Sequence, residues 1–188
     1  MYQLIDQRTI SYVRSDIAWK DHLKLNTDSI KYLEIGCLHG GSLLYFHNTF
    51  GPNVDSTCID PFSNCDYYLE YNTEHEINYE IFKINTEQLG NKNVHIRKPS
   101  SEVLPLLEND FFDVIYIDGN HNLSNILEDA VLSYRKLKPN GYLIMDDVNW
   151  GYGEENTQNT VNAFVNAYTK NKMELIFIDC DQLILKKK

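Results

Sequence analysis

The chain has 188 residues, 43% hydrophobic and 12% aromatic, and 17 basic against 27 acidic side chains give it a formal charge of −10. That length suits one domain with a full hydrophobic core, and the composition excludes both an intrinsically disordered chain and a cysteine-dense secreted scaffold. The excess of acid disfavours nucleic acid as a partner, no apolar run approaches the roughly 18 residues of a membrane span, and the N-terminus lacks a basic segment followed by an apolar one, so the expected setting is cytoplasmic.

Residues 1–29 mix polar and aromatic side chains, with a helix predicted over 15–25, and read as a helical cap or a dimerisation segment of a homodimer. The remainder, 30–188, reads as one α/β domain. Residues 30–35 are the first core strand, 42–50 a helix and 55–59 the second strand. A long excursion rich in Tyr, Asn and Glu occupies 61–90, and Tyr67, Tyr68 and Tyr71 within it are candidate walls of a substrate cleft. The third strand is 94–97, a helix follows at 101–108, and 111–117 is a strongly apolar fourth strand. Over 122–137 the positions Leu123, Ile126, Leu127, Ala130, Val131 and Tyr134 trace one helix face. Pro139-Asn140-Gly141 stops that helix before a fifth strand at 141–145. Ala163, Phe164 and Ala167 read as the core positions of a later helix. At the end, 173–178 and 183–185 flank a short polar link and form a hairpin, and Lys186-Lys187-Lys188 reads as a solvated tail.

Alternating strands and helices are the βαβ rhythm of a parallel sheet covered on both faces. Right-handed crossovers then bring the C-terminal ends of the strands to one functional edge. The terminal hairpin requires one antiparallel strand. Cys37, Cys58, Cys65 and Cys180 form no CxxC pair, so a zinc knuckle is unsupported. Cys37 and Cys58 are expected as buried, reduced thiols beside apolar strand residues.

The first strand leads into Glu34-Ile-Gly36-Cys-Leu-His-Gly40-Gly-Ser42. Gly36 and Gly40 allow the backbone to pass close to a ligand, and a helix beginning near Ser42 offers unpaired N–H groups to a carboxylate or phosphate. Leu38 stands where the dinucleotide pattern needs its second glycine, which counts against a nicotinamide-dependent oxidoreductase. Asp60 directly follows the second strand and can accept hydrogen bonds from both hydroxyls of a ribose. Glu34 can anchor the loop or an ammonium group, and Ser42 can donate to a carboxylate. Adenine would lie near Ser100-Ser101-Glu102. A plain packing turn, with Asp60 as a cap, is the alternative.

These elements, Glu34-x-Gly36-x-x-x-Gly40-x-Ser42, Asp60 and the 94–102 segment, resemble those of class I S-adenosylmethionine-dependent methyltransferases over about residues 30–186. The resemblance implies a Rossmann-like, mostly parallel seven-stranded sheet with helices on both faces and a C-terminal antiparallel hairpin. It implies S-adenosylmethionine as cofactor, with Glu34, Gly36, Gly40, Ser42, Asp60, Ser101 and Asp118 around it.

Two further motifs follow strongly apolar strands: Tyr116-Ile-Asp118-Gly-Asn-His121, and Asp146-Asp147-Val-Asn149. Adjacent parallel strands would bring Asp118 near Asp146 and Asp147, and convergent carboxylates repel unless protons or a cation compensate them. Oxygen donors suit magnesium or manganese. His121 can face the same cleft; capping and turn formation at strand ends is the competing role for the three carboxylates, and capping the following helix or satisfying a loop is that for His121. The arrangement resembles metal-dependent O-methyltransferases that act on sugar hydroxyls and on catechols. In that resemblance Asp118, Asp146 and Asp147 ligate a divalent cation, Mg2+, and His121 is the general base for a small-molecule hydroxyl acceptor. The catechol branch usually carries Asp-Asn and a lysine at these positions, so Asp146-Asp147 and His121 point towards the sugar-modifying branch. That branch often has Glu-Asp, and Asp146 keeps the charge with a shorter reach. Trp150, with Asn149, Tyr152 and the glycines Gly151 and Gly153, forms a candidate substrate loop. A non-catalytic cofactor-binding module and a nucleic-acid methyltransferase are the remaining alternatives.

Overall fold

The apolar runs become strands. In a computed structural model describing residues 1–6, 19–63, 75–149, 151, 156–179 and 181–188, the strands are β1 (Ile30–Ile35), β2 (Val54–Ile59), β3 (Asn93–Ile96), β4 (Phe112–Ile117), β5 (Leu137–Met145), β6 (Met173–Ile178) and β7 (Leu183–Lys187). They form one sheet in the order β3-β2-β1-β4-β5-β7-β6. Strands β1 to β5 pair in parallel, and β7 runs antiparallel to both β5 and β6. The helices are α1 (Trp19–His22), α2 (Gly41–Phe50), α3 (His75–Thr86), α4 (Ser100–Val103), α5 (Leu123–Lys136) and α6 (Thr157–Tyr168). The expected Rossmann-like sheet with its terminal hairpin is therefore present.

Alternation along each strand divides the core between two faces. Tyr32, Val114, Tyr142 and Ile144 pack with Trp19, Phe46 of α2 and Phe82 of α3. Leu33, Ile35, Ile115, Ile117 and Leu143 pack with Val103, Ile126, Ala130 and Phe164 from α4, α5 and α6. Each such fully buried large side chain contributes roughly 1.5–3 kcal/mol. The first residues of the chain are tied to the first face. Asn48 of α2 accepts from the Tyr2 N–H (2.7 Å), and Asn85 of α3 accepts from the Ile5 N–H (2.8 Å).

Several local expectations are corrected. The excursion after β2 contains α3, whose buried Ile81, Phe82, Asn85 and Thr86 follow helical spacing but are masked in the sequence by polar neighbours. The helix expected over 101–108 is a single turn, α4, followed by 3-10 geometry at Leu104–Leu106, because Pro105 has no N–H to continue the ladder. Strand β5 begins at Leu137, opposite Phe112, and Pro139-Asn140-Gly141 bulges out before pairing resumes at Tyr142 and Val114. On α5 the buried face includes Asp129 and Ser133, while Leu127 is exposed. On α6 Phe164 is buried as expected but Ala163 and Ala167 are exposed. Lys187 is not part of a solvated tail. It lies in β7, buried, with Nζ donating to Asp110 Oδ1 (2.7 Å) and to the Leu137 (2.6 Å) and Tyr134 (3.1 Å) carbonyls. Cys37 and Cys58 are free and buried, as expected.

The register carries the functional edge. One N–H beyond each parallel strand continues the ladder: Gly36 to the Ile59 carbonyl (2.9 Å), Asp118 to Ile35 (2.9 Å), Asp146 to Ile117 (2.9 Å) and Asp60 to Ile96 (3.3 Å). Four loops from distant parts of the sequence therefore start level with one another.

Candidate active site

The glycine loop is tight because two chain segments meet there. Gly36 has φ of +82°, and a Cβ at that position would stand 2.0 Å from the Asp118 carbonyl oxygen. Only glycine fits such an approach. The loop is held from behind by Glu34, which is fully buried. Its carboxylate accepts from the Ser42 hydroxyl (2.6 Å) and the Tyr32 hydroxyl (2.7 Å). Burial nonetheless pushes the Glu34 carboxyl up to about 7, the two hydrogen bonds pulling the other way. Glu34 thus ties β1 to α2 across the loop, and Ser42 donates to the protein's own carboxylate.

Asp60 spans the same loop. Its Oδ2 accepts from the Cys37 (2.8 Å) and Leu38 (3.2 Å) N–H groups, and its Oδ1 from the Phe62 N–H (2.8 Å). A carboxylate has about four lone-pair sites, so Oδ1 keeps acceptor capacity. Ser101 is exposed at the start of α4. Asp129, which the sequence did not single out, is buried on α5; burial pushes its carboxyl up to about 6 against a hydrogen bond from Ser100.

The second cluster stands at the ends of β4 and β5. His121 Nε2 lies 3.1 Å from Asp147 Oδ2 and 4.0 Å from Asp118 Oδ1. Donor atoms of Asp118, His121 and Asp147 fall within 4.8 Å of one another. Asp146 adjoins this cluster and is linked to Asp118 through the Tyr116 hydroxyl, which lies 3.2 Å from Asp118 Oδ2. Asp146 Oδ2 accepts from the Tyr116 hydroxyl and from Gln182 Nε2 (3.2 Å), and its Oδ1 accepts from the Asp147 N–H (2.9 Å). Burial, followed by the Asp146 and Asp147 charges, raises the Asp118 carboxyl well above the usual carboxylate range, although 34% of that side chain stays exposed. Burial likewise raises Asp146, against hydrogen bonds led by Tyr116. Convergent, desolvated carboxylates of this kind would be stabilised by a cation.

Tyr116 and Gln182 were legible only in part. Tyr116 lies two residues before Asp118, so strand alternation puts both on one side. Gln182 sits in the hairpin link and carried no signal. His39 is bonded through Nε2 to Asn78 Oδ1 (2.9 Å) and His95 lies among Phe62, Tyr79 and Phe82, so both have structural surroundings. Tyr67, Tyr68, Tyr71, Trp150, Tyr152, Gly153, Cys65 and Cys180 lie outside the described residues.

Residues 33–148 match a family described as a methyltransferase domain. The chain belongs to that family. It is an S-adenosylmethionine-dependent methyltransferase. Uncharacterized protein R132 of Acanthamoeba polyphaga mimivirus is 28% identical over 162 residues, 79% of this chain and 67% of the relative. A solved structure from Bacillus cereus, described as that of an O-methyltransferase in complex with SAH, is 15% identical, with a TM-score of 0.59 over 86% of this chain and 76% of that one. MycE methyltransferase from the mycinamycin biosynthetic pathway, in complex with Mg and SAH, is 15% identical, with a TM-score of 0.60 over 85% of this chain and 45% of that one. At these identities the two structures attest the shared fold. No described helix of the methyltransferase is long and apolar enough to cross a membrane.

Proposed function

We propose that this methyltransferase transfers the methyl group of S-adenosylmethionine to a hydroxyl of a small molecule, a sugar or vicinal diol, with a divalent cation, Mg2+, at the acidic cluster. The observation that carries this reading is the convergence of Asp118, His121 and Asp147 within 4.8 Å, at the same sheet edge as the glycine loop. The donor set fits such an ion: two carboxylates, Asp118 and Asp147, with the His121 imidazole between them. When bound there, the cation would lower the pKa of a coordinated hydroxyl and fix its orientation. Likeness to MycE, whose structure contains Mg and SAH, agrees with this assignment.

The chain's own residues supply the remainder. Asp60 holds the glycine loop and has acceptor capacity left for the ribose hydroxyls. Glu34 keeps the loop's backbone in place through Ser42. His121 takes the acceptor's proton, a role suited to an imidazole near neutral pH. Asp147 Oδ2, 3.1 Å from Nε2, stabilises the imidazolium that results.

The decisive experiment measures methylation of a panel of sugars, vicinal diols and catechols with Mg2+ for the parent and for His121→Ala. Loss of a general base lowers turnover by roughly 10²–10⁴, and binding of S-adenosylhomocysteine should stay unchanged by calorimetry. Unchanged turnover on a verified acceptor would sink the base assignment. A second reading makes His121 a third ligand, because its Nε2 lies within the same 4.8 Å cluster. Mn2+ binding separates the two: the base reading expects His121→Ala to retain the parent's affinity, and the ligand reading expects it to weaken.

A further inference from the structure

Asp147 is held in an unusual backbone conformation. Its φ is +49°, in the left-handed region that residues with a Cβ rarely adopt. Both its backbone groups are gripped. The N–H donates to Asp146 Oδ1 (2.9 Å), and the carbonyl accepts from Thr157 Oγ1 (2.8 Å), a fully buried residue at the start of α6. In this conformation the Asp147 carboxylate reaches His121.

The gripping carboxylate is itself fixed. Asp146 Oδ2 receives the Tyr116 hydroxyl and the Gln182 amide N–H (3.2 Å). The orientation of Gln182 is unambiguous, because Trp19 Nε1 lies 2.6 Å from its Oε1 and an indole can only donate. Gln182 is 1% exposed and Trp19 is 3% exposed. A continuous chain of hydrogen bonds thus runs from the N-terminal helix α1 through the hairpin link to the backbone of Asp147.

We infer that Asp146 is a positioning residue: it holds Asp147 in the conformation that completes the Asp118–His121–Asp147 cluster, and it does not itself ligate the cation. Trp19 and Gln182 extend this support to the N-terminal segment. The inference rests on the cation of the proposed function, and it predicts that a carboxylate at position 146 is dispensable where the hydrogen-bond pattern is kept.

A charge-conserving swap tests this. In Asp146→Asn the amide oxygen can still accept from the Asp147 N–H, but its NH2 then faces the Gln182 NH2. Adding Gln182→Glu restores the match, since one oxygen of the new carboxylate accepts from Trp19 and the other from the new amide at position 146. The probe is Mn2+ alone with the full chain, free Mn2+ being followed by electron paramagnetic resonance. Support groups behind metal sites typically change affinity about 10–100-fold. Asp146→Asn should therefore bind about tenfold more weakly, Asp147→Asn at least as weakly, and the Asp146→Asn/Gln182→Glu double variant within about threefold of the parent. A folded double variant as weak as Asp147→Asn would make Asp146 a ligand and overturn the inference. Amide exchange at Asp147, read by NMR in EDTA, gives an answer without metal. Protection in the parent and the double variant, lost in Asp146→Ala, supports the clamp; exchange at loop rates in the parent refutes it. A parent that binds no Mn2+ removes the cation from the proposed function, and the exchange result still decides the clamp.

Discussion

Glu34→Gln should abolish a pH dependence of folding that burial creates. Glu34 is 0% exposed, and its carboxyl is raised from 4.5 to about 7, first by burial and against the Ser42 and Tyr32 hydrogen bonds. The gap, about 7 minus 4.5, at 1.36 kcal/mol per pH unit corresponds to about 3 kcal/mol. The sign follows from where the proton is held more tightly. Below about pH 4.5 the folded and unfolded chains both carry it, and the contribution to stability is fully present. As pH rises towards 7 the unfolded chain ionises first, and stability falls until the folded carboxyl ionises too. A glutamine keeps an acceptor and a donor for the two hydroxyls and has no charge to lose. Urea unfolding of both proteins in EDTA, between about pH 4.5 and 8, reads the difference in ΔG directly. The parent should lose about 3 kcal/mol relative to the variant across that range. Parallel curves would refute the claim that Glu34 is desolvated in the folded state.

Other substitutions test the remaining supports. Gly36→Ala places a methyl 2.0 Å from the Asp118 carbonyl and should cost more than about 4 kcal/mol or prevent folding, whereas Gly51→Ala, with φ of +91° and nothing within 4 Å, should cost about 1–3 kcal/mol in the same melts, from backbone strain alone. Asp60→Asn removes a charged acceptor from the loop and should weaken S-adenosylhomocysteine by about 10–100-fold in calorimetry, and undiminished affinity would remove its role at the cofactor. Lys187→Met leaves Asp110 and two carbonyls without their donor, so urea denaturation should show a loss of about 1–3 kcal/mol with an unchanged slope.

Much of the architecture was legible because its signals are local. Continuous apolar runs such as 114–117, bounded by polar residues, dictate buried parallel strands, and the terminal hairpin dictates an antiparallel one. Acidic and glycine residues immediately after those runs were bound to lie along one edge, since parallel pairing brings strand ends level. The sequence was silent where a residue's role depends on what reaches it from far away. Helix α3 was hidden because Ile77 and Ile84 are exposed while Asn85 and Thr86 are buried, so its inward face is not marked by apolar residues alone. Lys187 read as tail charge because its partners, Asp110 and the end of α5, lie 50 or more residues away.

The sequence by itself determined a compact acidic α/β domain, the glycine loop with Asp60, and the presence of Asp118, Asp146, Asp147 and His121 at strand ends. Only the tertiary structure decided how that acidity is used. One turn of backbone, at a positive φ in Asp147, separates two adjacent identical side chains into different roles in space. Asp147 turns to His121, and Asp146 turns back to Tyr116 and to Gln182 in the link of the chain's last hairpin. Neighbours in sequence carry no information about such a choice, because hydrogen bonds from residues 30 and 36 positions away make it.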